Sequence, residues 1–172
     1  RAGLFRDVDV VLHWHPSDRN GVLNTPTLAN IKTSFIFHGV SSHAAAAPER
    51  GRSALAGLQL MDVAVNFLRQ FIPDGSRIHG IVVDGGSAPN IIPARAQSTY
   101  YVRNVNVDVL RSLQDRLQKA ALGAAIATET TVGWELVGGT YSLLINDTLN
   151  RVVYANLQPE ISALSWTPQE TA

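Results

Sequence analysis

His43 stands before a run of small residues that leads into a proline. Residues 44–47 are all alanine, and Pro48 is typical of the first turn of a helix. The backbone N–H groups at a helix start have no partner within the helix and can bind an anion. The segment therefore predicts a loop where an imidazole and free N–H groups face a negatively charged oxygen. The alternative is a structural histidine that hydrogen-bonds the loop before the helix.

Asn90 and Arg103 lie thirteen positions apart and form a second group of candidates. Asn90 falls in a loop rich in glycine and proline, and Arg103 ends a segment with a strand pattern. A guanidinium group offers a planar fork that fits a carboxylate, and an amide supplies both a donor and an acceptor. Together they could bind a carboxylate. The structural alternatives are a turn residue at 90 and a solvated charge at 103.

His13 and His15 are two residues apart and are candidates for metal binding. If residues 10–15 form a strand, both imidazoles point to the same face. Neutral imidazole is a common ligand for zinc-like ions, and a chain without cysteine has only His, Asp and Glu for this purpose. They could instead be strand-end histidines that only hydrogen-bond. His38 and His79 fall within strand patterns, and we interpret them as structural.

Hydrophobic periodicity predicts the elements that position these residues. Residues alternate with a period of two over 31–38, and apolar residues recur at helical spacing in two other segments. Two further strand-like segments flank the Gly- and Pro-rich loop around Asn90, and a fourth is rich in threonine and valine. The predicted order is strand 31–38, a helix over 55–72, strands 77–84 and 97–104, a helix capped by Asn106 or Asp108, and strand 126–136. This order predicts an α+β fold, the ferredoxin-like β-α-β-β-α-β arrangement with two helices on one face of a four-stranded sheet.

The flanking segments are interpreted as parts of another domain. Residues 1–28 include a predicted strand at 8–12, and residues 139–172 include a predicted short helix at 149–155. We therefore expect three segments: 1–28 and 139–172 from an α/β domain, and 29–138 as the ferredoxin-like insertion. Because the chain does not begin with Met, we expect an internal piece of a longer protein.

Composition excludes several classes of partner. Fourteen basic and fourteen acidic residues cancel, so no strong field would draw the protein to nucleic acid or to an anionic membrane. No apolar run reaches the roughly 18 residues of a membrane span. The expected partner is a small molecule or another protein. The absence of cysteine fits a cytoplasmic location.

Four motifs, in order, resemble the metal-dependent aminoacylase/carboxypeptidase amidohydrolase family, and in particular its aminobenzoyl-glutamate hydrolase branch. They are Leu-His-Trp-His-Pro at 12–16, the His43 segment at 41–54, Gly-Gly-Ser-Ala-Pro-Asn-Ile-Ile-Pro at 85–93 and Tyr-Tyr-Val-Arg at 100–103. The resemblance implies a lid and dimerisation domain, flanked by pieces of the catalytic domain. It implies a homodimeric parent enzyme with two divalent ions, zinc or manganese, that cleaves the amide of N-acyl amino acids such as p-aminobenzoyl-glutamate or related dipeptides.

The resemblance also implies a role for each candidate residue. It makes His15, which directly precedes Pro16, a metal ligand, with His13 as second choice. It makes His43 a donor to the oxyanion in the neighbouring subunit's active site, and it makes Asn90 and Arg103 the residues that hold the free carboxylate of the substrate. The family's His-x-Asp motif and Glu-Glu pair, which supply the other ligands and the base, are absent from this sequence. We therefore expect this chain alone to be inactive and to hold no metal stably.

A second interpretation is a non-enzymatic ferredoxin-like module that dimerises or binds an amino acid for regulation. It explains the predicted fold and the neutral charge equally well. It offers no reason for His15, His43, Asn90 and Arg103 to occur together.

Overall fold

The computed structural model describes residues 3–170, which divide into two units. The larger unit is Pro26–Leu144, and the smaller one combines residues 3–25 with residues 145–170. The limits lie near, but not at, the expected 28/29 and 138/139. Arg1, Ala2, Thr171 and Ala172, which belong to the predicted flanking segments, lie outside the described residues.

The larger unit is a four-stranded antiparallel sheet with two helices. Its elements are β1 (Ala29–His38), α1 (Ala54–Leu68), β2 (Arg77–Asp84), β3 (Arg95–Asn104), α2 (Val107–Ala127) and β4 (Thr131–Thr140). The strand order is β2-β3-β1-β4, so β2 and β4 are the edges. This α+β arrangement confirms the predicted ferredoxin-like order.

The two faces of the sheet differ because side chains alternate along each strand. In β3 every even-numbered residue from Ala96 to Asn104 is buried, and these residues face the helices. Phe35 and Phe37 of β1 pack there with Met61 of α1 and Leu117 of α2. The odd-numbered residues of β3 lie on the opposite face, which no helix of the larger unit covers. Arg103 is among them.

The ends of the helices follow local capping rules, with two corrections to the predicted helix over 55–72. Helix α1 ends at Leu68, and a 3-10 turn, Arg69–Phe71, follows it. Asn106 caps α2 by accepting hydrogen bonds from the N–H groups of residues 108 and 109. Of the two predicted caps, Asn106 and Asp108, the structure therefore has Asn106. Pro48 does not begin α1. It begins a separate 3-10 turn, Pro48–Arg50, and Ser53 caps α1 by accepting from the Ala56 N–H.

The predicted strand 126–136 is wrong at both ends. Helix α2 continues to Ala127, because small residues at 121, 124 and 125 extend its buried stripe. The chain reverses at Glu129, which has a φ of +53°, and β4 runs from Thr131 to Thr140. The expected boundary at 138/139 therefore cuts a strand that pairs with β1 up to Thr140.

In the smaller unit the strands predicted at 8–12 and 10–15 are wrong. A strand needs a hydrogen-bonded neighbour, and none pairs with this segment among residues 3–170. Helix α3 (Asp147–Ser162) is longer than the predicted 149–155 and is capped by Asn146, which accepts from the Leu149 N–H. The Asn150 side chain donates to that of Asn24 at 2.8 Å. None of the helices in the described chain is long and apolar enough to cross a membrane.

Candidate functional site

The His43 loop is joined to the Asn90 loop by backbone hydrogen bonds. The Ala44 N–H donates to the Asn90 carbonyl at 2.9 Å, and the Ile92 N–H donates to the Ser42 carbonyl at 2.9 Å. His43 and Ile91 also form an antiparallel bridge. The structure therefore brings the exposed side chains of His43 and Asn90 together at one end of the sheet. The His43 loop and the Asn90 loop, joined in this way, form one double loop.

The N–H groups that follow His43 are not free to bind an anion, so that part of the sequence prediction is wrong. The Ala45 and Ala46 N–H groups donate to Nδ1 of His43, at 3.2 and 3.1 Å. The Ala47 N–H donates to the His43 carbonyl at 3.1 Å, and Ala44 is bonded to Asn90. The alanine run folds back on the histidine that precedes it and leaves no open set of donors.

The same contacts fix the tautomer of the His43 ring. Because Nδ1 accepts two backbone N–H groups, it carries no proton, and the neutral ring must carry its proton on Nε2. His43 is exposed, so its Nε2–H points to no buried partner and is free to donate. What remains of the predicted anion site is therefore one oriented imidazole donor.

Polar contacts of Asp84 connect the double loop to the sheet. Asp84, the last residue of β2, accepts from the Gly86 N–H and forms an ion pair with Arg95 at 2.6 Å. The hydrogen bond from Gly86, with a smaller contribution from Arg95, outweighs burial and lowers the pKa of Asp84. Gly86 has a φ of +103°, and a Cβ there would lie 2.7 Å from Pro93, so this turn requires glycine.

Arg103 lies at the other end of β3, on the face that the helices leave open. It is eight positions along the extended strand from Arg95, which is about 26 Å at 3.3 Å per residue. Within one chain the structure therefore does not bring Arg103 to Asn90 or His43. One copy of the larger unit therefore cannot place all three side chains on the same small molecule.

The surroundings of Arg103 are cationic and aromatic. Its guanidinium carbon lies 5.2 Å from the centre of the Tyr101 ring, and the Lys32 ammonium lies 5.6 Å from the same ring. Arg77 is directly opposite Arg103 in the β2–β3 register. Burial first, and then the charges of Arg103 and Arg69, lower the pKa of His79. Nε of Arg103 is buried without a hydrogen-bond partner.

In the smaller unit, a backbone contact fixes the tautomer of His15, one of the two histidines predicted to bind a metal. Nδ1 of His15 lies 2.7 Å from the Pro16 carbonyl oxygen, which can only accept, so Nδ1 carries the proton. The Nε2 lone pair is then free. However, no group of three or more His, Asp or Glu residues suited to a metal ion occurs among residues 3–170. These residues do not form a metal centre by themselves.

Comparison with known proteins identifies the family. A family model described as "Peptidase dimerisation domain" matches residues 28–128. The chain belongs to this family. The match spans β1, α1, β2, β3 and α2, and it confirms the family resemblance drawn from the four sequence motifs.

The chain is similar to parts of two kinds of curated hydrolase. It is 40% identical over its whole length to one subunit of the p-aminobenzoyl-glutamate hydrolase of Escherichia coli (strain K12), covering 36% of that protein. It is 36% identical over 86% of its length to the "Xaa-Arg dipeptidase" of Mus musculus, covering 34% of that protein. This peptidase dimerisation domain and its flanking segments thus span about a third of the length of these relatives.

Solved structures share the fold. The aminobenzoyl-glutamate utilization protein from Klebsiella pneumoniae aligns with 72% of the chain and 32% of its own length, with a TM-score of 0.61 and 22% identity. A hydantoinase/carbamoylase family amidase from Burkholderia vietnamiensis aligns with 79% of the chain and 33% of its own length, with a TM-score of 0.67 and 19% identity.

Proposed function

We propose that this chain is the lid and dimerisation part of a metal-dependent amidohydrolase that cleaves the amide bond of N-acyl amino acids, such as p-aminobenzoyl-glutamate or a related dipeptide. The names of the two kinds of curated relative support the reaction class, since both describe hydrolysis of such a bond. The chain's own contribution is to bind the amino-acid half of the substrate and to stabilise the charge that develops on the amide oxygen.

The observation that carries the proposal is the oriented Nε2–H of His43. As water adds to the amide carbonyl, the oxygen becomes negatively charged, and a fixed donor aimed at it stabilises the transition state more than the ground state. The two backbone N–H groups on Nδ1 hold the ring in the donating tautomer before the substrate arrives. Arg103, whose guanidinium is in none of the ion pairs found within residues 3–170, is suited to the free carboxylate.

A homodimer would bring Arg103 of one chain close to His43 of the other, although the two residues are far apart within one chain. If β2 pairs antiparallel with β2 of a second copy about a two-fold axis, the start of each β2 lies beside the end of the other. Arg77, at the start, is level with Arg103, and Asp84, at the end, contacts the loop that leads to Asn90. Arg103 of one chain would then approach His43 and Asn90 of its partner.

The edge strand β2 has the character of such an interface. Its residues Ile81, Val82 and Val83 are 69%, 55% and 53% exposed, although all three are strongly apolar. Helix α1 adds an exposed apolar stripe at Leu60, Val63 and Phe67, spaced as on one helix face. Pairing with a second copy would remove an open edge that is otherwise prone to aggregation.

His15 is proposed as one ligand of the divalent metal centre that the family resemblance implies, with His13 as second choice. The described residues do not form a metal centre, so the ligands other than His15 would come from the rest of the parent enzyme.

Mixed dimers of the full-length enzyme test the shared site. One subunit carries His43→Ala and the other Arg103→Ala, and each variant alone should be nearly inactive. If each site takes His43 from one subunit and Arg103 from the other, the mixed dimer has one intact site and one with both defects. Mixing equal amounts, with exchange of subunits, should recover about a quarter of the wild-type activity, because half of the dimers are mixed.

A matched control uses two residues from the same double loop. His43→Ala mixed with Asn90→Ala should recover nothing, because each double loop then carries one defect. If the His43 and Arg103 variants also fail to complement although mixed dimers form, the shared site is wrong. If neither substitution lowers hydrolysis, the lid is not part of an active site, and the regulatory module is the better interpretation.

A further inference from the structure

The open face of the sheet holds two cations over one aromatic ring. Lys32 of β1 is directly opposite Tyr101 of β3 in the register, and Arg103 is two residues further along the same face. Because both distances are measured to the Tyr101 ring, the Lys32 ammonium and the Arg103 guanidinium are at most about 11 Å apart. Both are attracted to the same ring, which keeps them together.

These cations have no acidic partner in the described chain. None of the ion pairs found within residues 3–170 involves Lys32, Arg77 or Arg103. Arg77 and Arg103 are nevertheless directly opposite each other, an arrangement that is unfavourable for like charges on neighbouring strands. In a chain of zero net charge, such a group of unpaired cations indicates that a ligand supplies the negative charge.

We propose that Lys32 selects substrates whose amino-acid half has an acidic side chain, binding the side-chain carboxylate while Arg103 binds the free α-carboxylate. This inference rests on the proposed function. The two carboxylates of glutamate or aspartate can be held at once by two cations on flexible stems that flank one ring. Arg77 adds positive potential to the cationic patch that Lys32 and Arg103 form around Tyr101.

The curated relatives differ on this very point. One is named for an acyl-glutamate and another for dipeptides that end in arginine. An arginine side chain placed beside Lys32 and Arg103 would add a third positive charge without a counterion, and such repulsion is how sites reject a wrong partner. The patch therefore favours the acidic class of substrate for this chain.

Steady-state kinetics of the full-length enzyme on p-aminobenzoyl-glutamate, -glutamine and -arginine test the proposal, because the acyl group is constant. Lys32→Gln should lower kcat/KM for the glutamate substrate by about ten- to a hundredfold, the usual loss for a hydrogen bond between charged groups. The glutamine substrate should change by less than about threefold. Lys32→Arg should keep the preference for glutamate, and Lys32→Glu should shift it towards arginine.

Lys119 provides the matched control, since it is the only other lysine and is exposed on α2. Lys119→Gln removes the same charge and should leave all three substrates unchanged. A loss shared equally by the three substrates in Lys32→Gln would overturn the selectivity role while leaving the proposed hydrolysis intact. A wild-type enzyme that cleaves none of the three substrates would overturn the proposed function, and this inference with it.

Discussion

Replacement of His43 by alanine in the full-length enzyme should lower kcat by about a hundred- to a thousandfold, with little change in KM. The expected size follows from the structure, since the ring offers one oriented donor, and removing one oxyanion donor typically costs that factor. The Ala45 and Ala46 N–H groups that lose Nδ1 lie on an exposed loop, so water can replace it. The free energy of unfolding should therefore fall by no more than about 1–2 kcal/mol.

The assay is steady-state hydrolysis together with thermal unfolding and metal analysis of the same preparations. His38→Ala is the control, because His38 is an exposed histidine at the end of β1 and is not a member of either loop. It should change neither kcat nor metal content. A loss of less than tenfold in kcat for His43→Ala, or a loss that occurs only in KM, would contradict the oxyanion role. A large fall in melting temperature would instead show that the ring holds the loop together.

Three other predictions concern the dimer, pH and the metal. Ile81→Lys should make the protein monomeric in sedimentation velocity, because each dimer would then bury two lysines at the β2 edge, whereas Ile126→Lys, on the exposed end of α2, should remain dimeric. The lowered pKa of His79 means that the folded state resists protonation, so stability is full above the ordinary histidine pKa and falls as the pH drops below it. Melting temperatures measured from pH 7.5 to 5 should decrease less in His79→Gln than in the wild type. His15→Ala should lower the divalent metal bound by the full-length enzyme more than His13→Ala does, and equal metal content in both variants would exclude His15 as the ligand.

Alternation, helical spacing and turn residues are sufficient to predict the order of elements in the larger unit. Strand β2 has the predicted bounds because Pro73 and Gly75 form the turn before it and glycines follow Asp84. The α2–β4 boundary is not predictable in this way, because β-branched residues such as Ile126 and Thr128 favour a strand by propensity, whereas packing against the core extends the helix to Ala127. The strand predicted near His13 fails for a different reason, since a strand depends on a neighbour that the segment cannot specify.

The candidate site is predictable by residue type but not by contact. The sequence indicates that His43 is near backbone N–H groups, yet only the structure reveals that these groups are bonded to its own ring. In the sequence, Lys32 is one polar residue of an alternating strand. Its closeness to Arg103 depends on the register between β1 and β3, which are separated by more than fifty residues, and no local pattern fixes that register.

The length of β3 is what makes a single lid insufficient. A strand of ten residues holds Arg103, the proposed carboxylate-binding residue, at one end and the His43 loop beyond the other, so the fold itself separates the two proposed functions. An antiparallel two-fold contact reverses one strand against its copy and so brings opposite ends together. The same substitution at the β2 edge that prevents pairing should therefore abolish hydrolysis even though every side chain proposed for the site remains. A monomeric Ile81→Lys enzyme with wild-type kcat would show that the site is complete within one chain.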